Sequence, residues 1–355
     1  MSPTSYQTAP PRGGLVTLLA LASGGQHGAA RSTRLEREKR GLWVAERSLV
    51  LYSNLVWDSA RWDGFVLRPD DIIITTPPKC GTTWTQMICA LLIFQTANFD
   101  QRLSSISPWL DMNTRPRAEV IADLDAQQHR RFIKTHTPLD GLPWNDRVTY
   151  IDVGRDPRDV AMSMTHHRSN MNIDAFFAAV ASTASVDGGM QPPTPDAAEP
   201  PQEAAPSDRG LFWEWVDNPT PVTESTSSLL RTLRHHETFW NMRTADNVVL
   251  LHYDDLRADL DGQMRAIADR LGLPVPEDNW AELVEAATFE RMRGNADTFA
   301  PNADKAIWHD NEQFFHRGTS GQWRSLLDDD DLRRYEDRVT QLVAPDLAAW
   351  VHHDD

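Results

Sequence analysis

Residues 71–84, DIIITTPPKCGTTW, join a predicted strand to a predicted helix through a short turn. Residues 71–75 contain three consecutive isoleucines and a threonine, a β-branched run typical of a strand buried in a parallel sheet. Two prolines and Gly81 indicate a turn, and residues 82–95 are predicted to form a helix. A buried strand that leads through a tight turn into a helix indicates the beginning of an α/β fold.

The turn itself carries groups that suit an anion. The start of a helix has unpaired N–H groups and the positive end of the helix dipole. Gly81 allows close approach of the backbone, Lys79 adds positive charge, and Thr82 and Thr83 add hydroxyl donors. The spacing differs from the Walker A pattern G-x-x-x-x-G-K-[ST]. The turn therefore predicts a phosphate or sulfate site, the alternative being a capped turn with a solvated lysine.

Three further strands are predicted along the chain, at residues 131–134, 148–153 and 247–252. Helices are predicted to begin at Asp156-Pro157 and to follow the last strand to about Leu271, and residues 34–53 also have helical spacing. This alternation predicts an α/β domain of three layers, a central parallel sheet flanked by helices. Ligands of such folds bind at the carboxyl ends of the strands.

The composition suggests one large domain with two segments that do not pack. Residues 1–32 are rich in Pro, Gly, Ser and Ala and are predicted to be a disordered leader, in preference to a signal peptide. Residues 33–355 are then a single domain. Residues 181–210 contain six prolines and six alanines and are predicted to be a low-complexity insertion, with an interdomain linker as the alternative.

The charge balance excludes some partners. With 35 Lys and Arg against 51 Asp and Glu the net charge is −16, which argues against general binding of nucleic acid or of an anionic membrane. Much of the negative charge lies in residues 181–210, 328–331 and 354–355. Two cysteines and the lack of a long apolar run predict a reducing, cytoplasmic location without a membrane span.

Three other groups of residues carry candidate chemistry. Lys134-Thr135-His136 ends the second strand, and histidine can take a proton from a hydroxyl, although a lone histidine is more often structural. Arg155 and Ser163, after the third strand, suit a second phosphate, or Arg155 belongs to an N-cap ion-pair cluster. Residues 315–323, FHRGTSGQW, form a basic glycine loop that either closes over a phosphate or is only a turn.

In this order along the chain, the PKCGTTW loop, the KTH strand end, the Arg…Ser segment and the late glycine loop resemble the cytosolic-type sulfotransferases. Those enzymes use 3′-phosphoadenosine 5′-phosphosulfate (PAPS). Residues 107–111, 131–142 and 154–159 are also similar to actinobacterial enzymes described as glycolipid sulfotransferases. The resemblance implies a P-loop-like version of the predicted fold.

The resemblance also implies a role for each matching residue. His136 would be the general base, and Lys79 and Lys134 would stabilise the reacting groups. The 5′-phosphosulfate would lie against Lys79, Cys80, Gly81, Thr82, Thr83 and Trp84. The 3′-phosphate and the adenine would lie against Arg155, Ser163, Tyr253, Thr288, Phe289, Met292, His316, Arg317 and Gly318.

Two positions depart from the family pattern. Cys80 stands where serine is common, which weakens a hydrogen bond. His316 stands where an arginine usually meets the 3′-phosphate, so we expect a lower or pH-dependent affinity for the donor.

The reaction that these residues predict is in-line transfer of a sulfuryl group to an acceptor hydroxyl, with no metal. A P-loop kinase or ATPase, or an inactive nucleotide-binding module, are the alternatives. The expected partner is a small-molecule or lipid-linked acceptor, and homodimerisation is left open. Some tryptophans in the connections around the acceptor suit a lipid, aryl or sugar–lipid acceptor, if they are not core anchors: Trp109, Trp144, Trp213 and Trp215.

Overall fold

A computed structural model of the protein describes residues 48–193 and 206–353. The predicted leader, residues 1–32, lies outside the described residues, as does most of the helix predicted over residues 34–53. The described end of that segment is extended and not helical, so the helix prediction is wrong there. Hydrogen bonds to residues far away in the sequence hold its backbone: Val50 N donates to Asp140 O, and Ser53 N donates to Thr223 O.

The sheet has four parallel strands in the order β2-β1-β3-β4. The strands are β1 (Ile72–Thr75), β2 (Phe132–Thr135), β3 (Thr149–Gly154) and β4 (Val248–His252), each close to its predicted bounds. Ile74 of β1 pairs with Lys134 on one side and with Ile151 on the other. The ends of β1 and β2 therefore lie side by side, which brings the two lysine-bearing segments to one edge.

Helices flank this sheet, which confirms the predicted fold class. Helix α1 (Thr82–Phe94) packs on β1 and β2, and helix α7 (Leu229–Trp240) packs against β3. Short 3₁₀ turns at Ser59–Trp62, Leu139–Gly141, Glu277–Asn279, Ala303–Lys305 and Gln322–Ser325 connect the main elements. The described helices are α1 (Thr82–Phe94), α2 (Leu103–Ile106), α3 (Arg117–Ala126), α4 (Pro157–Ser169), α5 (Ile173–Asp187), α6 (Asp208–Val216), α7 (Leu229–Trp240), α8 (Tyr253–Ala258), α9 (Leu260–Leu271), α10 (Trp280–Ala286), α11 (Phe289–Gly294), α12 (Ala296–Phe299), α13 (Asn311–Phe314), α14 (Asp329–Leu342) and α15 (Pro345–His352).

The segment after β4 is two helices and not one. The break falls at Asp259, whose backbone is non-helical and whose carboxylate accepts a hydrogen bond from Gly262 N. An aspartate at this position caps the start of α9, because it satisfies an N–H group that the helix leaves unpaired. Among the described residues no helix is both long and apolar enough to cross a membrane.

The low-complexity segment is shorter than residues 181–210. Helix α5 continues to Asp187, where Gly188 ends it in a left-handed conformation, and α6 begins at Asp208. Thr183 and Ala184 are buried, so the last turns of α5 pack on the domain. Alanine favours helix strongly, and the alanines here extend α5 despite the prolines that follow. Residues 194–205 lie outside the described residues.

Candidate active site

A cavity of about 760 Å³ lies at the carboxyl ends of the strands. Polar groups from the turn after β1, from the end of β2 and from the start of α4 meet apolar side chains from later helices in its wall. The predicted site residues that line it are Lys79, Gly81, Thr82, Thr83, Trp84, Lys134, His136, Arg155, Ser163, Tyr253, Thr288, Phe289, Met292, His316, Arg317 and Gly318. The fold therefore brings together segments that are far apart in the sequence.

Cys80 is the predicted contact that does not line the cavity. Its side chain is fully buried in an apolar cluster that includes Val160 and Trp323. Burial raises the pKa of the Cys80 thiol, so the group is a neutral, apolar filler. The turn directs this side chain into the core, and the contact of Cys80 with the anion stays a prediction.

The turn after β1 presents main-chain donors to the cavity. Lys79 and Gly81 have φ values of 70° and 108°, and Gly81 is the N-cap of α1. Among the described residues no main-chain acceptor pairs with the N–H groups of Thr82, Thr83 and Trp84. Unpaired N–H groups at the positive end of a helix dipole are a favourable place for a phosphate or sulfate.

His136, at the end of β2, is buried and has a defined tautomer. Its Nδ1 lies 2.7 Å from the carbonyl oxygen of Thr76. Because a carbonyl only accepts, Nδ1 carries the proton and the lone pair is on Nε2. The ring is also held by the edge of Trp109, with centroids 4.6 Å apart, and by Trp57 at 5.7 Å.

The surroundings of His136 keep the ring neutral. Burial, with the nearby charge of Lys134, lowers the pKa of His136 well below 6.5. Nε2 has no hydrogen-bond partner in the part of the chain that the structure describes. A buried neutral imidazole with an unused Nε2 at a cavity wall can accept a proton from a bound hydroxyl.

Two lysines lie near this imidazole without carboxylate partners. Lys134 Nζ lies 4.3 Å from the centre of the Trp109 ring, and Lys79 Nζ lies 4.5 Å from that of Phe314. Neither has a described carboxylate within 4.0 Å. Burial lowers the pKa of each lysine to about 7, and the charge of Arg155 adds to the effect on Lys79. An anion bound between them would restore both positive charges.

Arg155 ties three parts of the site together. Its guanidinium donates to Lys79 O at 2.7 Å and to Thr319 O at 3.2 Å, and it lies 4.2 Å from the centre of the Tyr253 ring. The side chain is buried. Arg155 thus connects the end of β3 to the turn after β1 and to the late glycine loop, so the alternative of a simple N-cap ion pair does not describe it.

The late loop folds back over α4. The Asp159 carboxylate accepts hydrogen bonds from Gly321 N at 2.8 Å and from Gln322 N at 3.1 Å. Gly318 has a φ of 64°, and a Cβ there would lie 2.5 Å from the Phe289 ring. Glycine is therefore required at position 318 for the loop to reach α11.

His316 in this loop stacks on His166 of α4, with ring centroids 3.9 Å apart. Burial beside His166 and Arg317 lowers the pKa of His316 to about 4. His166 is three residues after Ser163, so both side chains occupy the same side of α4. The sequence indicated His316, whereas its stacking partner His166 is recognised only from the position of the late loop in the structure.

The other end of the cavity is apolar, and most of its wall was not predicted. Of the four tryptophans expected around an acceptor only Trp109 lines it, whereas Trp215 is buried in the core, Trp213 donates to Asp331 and Trp144 stacks on Tyr150. These three anchor other parts of the fold. The apolar side chains that the sequence did not indicate include Trp57, Met171, Ile173, Phe176, Trp308 and Phe314.

A smaller polar cavity of about 290 Å³ adjoins this apolar end, and Trp109, Met112 and Lys134 line both. Two of its cations lie beside carboxylates. Arg115 donates to Asp123 at 2.8 Å, Arg102 lies 3.9 Å from Asp304, and Lys305 donates to the main chain of Thr114. The uncharged polar groups include Gln86, Ser104 and Ser105.

Comparison with known proteins places this arrangement in a family. The model of the sulfotransferase domain matches residues 69–345. A glycolipid sulfotransferase of Mycobacterium tuberculosis is 42% identical over 311 residues, which cover 85% of this chain and 94% of the relative.

Two solved structures share the fold. A retinol dehydratase bound to retinol and PAP has a TM-score of 0.60 at 23% identity, covering 81% of this chain and 85% of that one. The mouse sulfotransferase SULT7A1 bound to PAP also has a TM-score of 0.60, at 18% identity, covering 84% and 91%. From the domain match and the extent of the mycobacterial similarity, the chain belongs to the sulfotransferase family.

Proposed function

We propose that this sulfotransferase moves a sulfuryl group from PAPS to a hydroxyl of a glycolipid acceptor, with His136 as the general base. The observation that carries the proposal is the fixed neutral imidazole. Its Nδ1–H is bonded to Thr76 O, and its ring lines the same cavity as two lysines without described carboxylate partners. A base in this place can remove the proton of an alcohol, and the two nearby cations can stabilise an anionic leaving group.

The donor would lie along the polar half of the cavity. The unpaired N–H groups at the start of α1, with Lys79, are placed to hold the phosphosulfate. Ser163, His316 and Arg317 line the region proposed for the 3′-phosphate. Trp84 and Tyr253, whose rings meet edge to face at 5.4 Å, would form one wall for the adenine together with Phe289 and Met292. The two PAP-bound structural relatives make this donor a consistent choice.

The chemical step is a single displacement at sulfur. The acceptor oxygen forms a bond to sulfur while His136 Nε2 takes its proton, and the bond from sulfur to the phosphate oxygen breaks. The negative charge that develops on the leaving phosphate is met by Lys79 and by the N–H groups of α1, and Lys134 faces the transferred group. The products are the sulfate ester and 3′-phosphoadenosine 5′-phosphate (PAP), and the proton on His136 then leaves to solvent. Fixed donors aimed at developing charge lower the barrier without reorganisation.

The acceptor class follows from the two adjoining cavities. Trp57, Phe176 and Trp308 belong to an apolar wall suited to a lipid chain. In the polar cavity the carboxylates of Asp123 and Asp304 and the hydroxyls of Ser104 and Ser105 offer acceptors and donors, which suits the hydroxyl groups of a sugar. Trp109, between the two, gives a flat face on which a sugar ring can pack. The glycolipid sulfotransferases of mycobacteria are consistent with this class.

The acceptor proposal is tested by transfer of a radiolabelled sulfuryl group from PAPS to octyl glucoside and to 4-nitrophenol. Ser105→Trp places a large side chain at the exposed rim of the polar cavity. We expect it to raise the KM for octyl glucoside by about tenfold and to leave 4-nitrophenol unaffected, because only the sugar needs the polar cavity. Ser185→Trp, exposed on α5 and absent from that wall, is the matched control. Equal loss with both acceptors would contradict the sugar site.

The proposal also bears on metal dependence, location and oligomeric state. Turnover is expected to be unchanged by a chelator, because no step of the proposed displacement uses a metal. The protein is expected to be cytoplasmic, and light scattering measures whether it forms a homodimer.

A further inference from the structure

A buried arginine on α7 contacts the main chain of the proposed base. Arg231 Nη2 donates to the carbonyl oxygen of His136 at 2.9 Å. Its guanidinium carbon lies 4.6 Å from the centre of the Tyr52 ring and 5.8 Å from that of Trp57, which itself packs on the His136 ring. Arg231 therefore contacts the main chain of His136 and an aromatic ring that packs on the imidazole, without lining the cavity.

The position of Arg231 is energetically unfavourable in three ways. The side chain is only 2% exposed, and in the described parts of the chain no carboxylate lies within 4.0 Å of it. Its Nε and Nη1 have no described hydrogen-bond partner. It is also the third residue of α7, after the N-cap Ser228, where the positive end of the helix dipole disfavours a cation. A buried cation without a partner charge is costly, and such departures from local rules concentrate at functional sites.

The carboxylates around Arg231 are engaged by other groups. Asp140 accepts from Tyr52 and from Arg234, each at 2.8 Å, and Asp111 accepts from Thr135 and Thr137. The charge of Arg231 is therefore not neutralised directly. Its guanidinium bonds instead to the main chain of His136, a residue of the cavity wall.

We propose that Arg231 is a positioning residue for the base: its hydrogen bond fixes the peptide of His136, and its buried guanidinium places a positive charge beside that residue. The hydrogen bond to the carbonyl and that from Nδ1 to Thr76 together hold both the backbone and the ring of His136. Arg231 lies on α7 and does not line the cavity, so it acts only through His136. This inference rests on the proposed role of His136 as base.

The charge effect adds to that of other groups around the ring. A cation disfavours a second positive charge nearby, so Arg231 lowers the pKa of His136 in the same direction as burial. The titratable and charged groups that face His136 come from β2, from the turn after β1, from α4 and from α7: Lys134, Lys79, His167, Arg231 and His235. Arg231 is the one of these that also bonds to the main chain of His136.

Three substitutions separate the hydrogen bond from the charge. Arg231→Lys keeps a cation and a donor, Arg231→Gln keeps a donor only, and Arg231→Met keeps neither while filling similar volume. We expect kcat to fall about 10-fold to 100-fold in the Met variant and less in the Gln variant, with the Lys variant closest to the wild type. The KM for PAPS is expected to be unchanged in all three, because Arg231 does not line the cavity.

The pH profile distinguishes positioning from a general loss of stability. His136 must be neutral to act, so the acid limb of kcat reports the pKa of His136 in the complex. Loss of the neighbouring cation raises that pKa, and the acid limb is expected to move to higher pH in the Met and Gln variants and to stay in place in the Lys variant. Titration of the His136 ring by NMR in the protein without substrates gives the same readout independently of turnover.

Arg234→Met is the matched control. Arg234 is nearly one turn further along α7, partly exposed, and paired with Asp140 and Glu237 instead of His136. It is expected to keep the wild-type acid limb and a kcat within about threefold.

Several outcomes would overturn the inference. It is wrong if the Met variant keeps the kcat and the acid limb of the wild type. It is also wrong if kcat falls as far in the Lys variant as in the Met variant while the titration of His136 is unchanged in both. If Arg231→Met does not fold, the Gln and Lys variants decide by the same titration. Failure of the proposed function is distinguishable, because His136→Ala would then keep its activity whatever the Arg231 variants do.

Discussion

The Nδ1 of His136 donates to the carbonyl oxygen of Thr76 across the ends of β2 and β1, at 2.7 Å. The two strands pair in parallel, so the histidine follows one strand and its acceptor follows the neighbouring one. This single hydrogen bond fixes the tautomer and directs Nε2 away from the sheet. The predictions below concern the groups that surround this imidazole and the loops that close the cavity.

Gly318→Ala is expected to weaken the binding of PAP by at least about tenfold, because a Cβ would meet the Phe289 ring at 2.5 Å and force the late loop away from α11. Calorimetric titration with PAP measures the effect. Gly272→Ala is the control, since Gly272 has nearly the same φ, 65°, with no atom within 4 Å of the added Cβ. It should lose about 1 kcal/mol of stability from backbone strain and none of its affinity. Equal affinities in the two variants would show that the loop does not form the donor site.

His316→Arg is expected to tighten PAP binding roughly 3-fold to 10-fold at pH 8, because it replaces a neutral donor by a charged one. The pKa of His316 is lowered to about 4 in the free protein, so the ring binds no proton at neutral pH. A bound phosphate raises that pKa, and the wild type can then gain a proton only toward lower pH. The ratio of the two affinities is therefore expected to shrink between about pH 8 and about pH 6. A ratio that does not depend on pH, or no gain at all, would place His316 away from the phosphate.

Asp71→Ala is expected to reduce the free energy of unfolding by about 3 kcal/mol, because it leaves Arg131 buried without its main partner. The two side chains are each 1% exposed, and Arg131 Nε donates to Asp71 at 2.8 Å. They lie at the start of β1 and just before β2, far from the carboxyl ends. Urea unfolding measures the change.

The control for this pair is Asp261→Ala, which removes a partner of the exposed Arg265. It should leave the urea midpoint of unfolding nearly unchanged, because an exposed ion pair contributes little to stability. A similar loss in the two variants would mean that the buried pair contributes no more than a surface one.

The strands could be read from the sequence because each contains a short group of apolar and β-branched residues, which is typical of strands buried on both faces of a parallel sheet. The predicted segment at residues 71–75 differs from β1 by only one residue. The turn that is proposed to bind an anion could also be recognised, since its glycine, lysine and threonines lie together in the sequence at the start of a helix.

The parts that could not be predicted depend on distant packing. Trp57 reaches His136 from a segment whose backbone is held by the loop at Asp140, and nothing in its local sequence indicates this. Cys80 turns into the core although its neighbours face the cavity. Arg231 left one signal, a cation in the first turn of a helix that begins at a serine, but its contact with His136 exists only after α7 packs on the sheet.

The central claim is that His136 removes the proton of the acceptor hydroxyl. Single-turnover transfer of radiolabelled sulfuryl from saturating PAPS, compared between the wild type and His136→Ala, tests it most directly, with PAP affinity measured on the same samples. The account predicts that the transfer rate falls by at least about 10²-fold, whereas the affinity for PAP changes by less than about threefold. A variant that binds PAP normally and transfers sulfuryl at a rate within about tenfold of the wild type would contradict the claim.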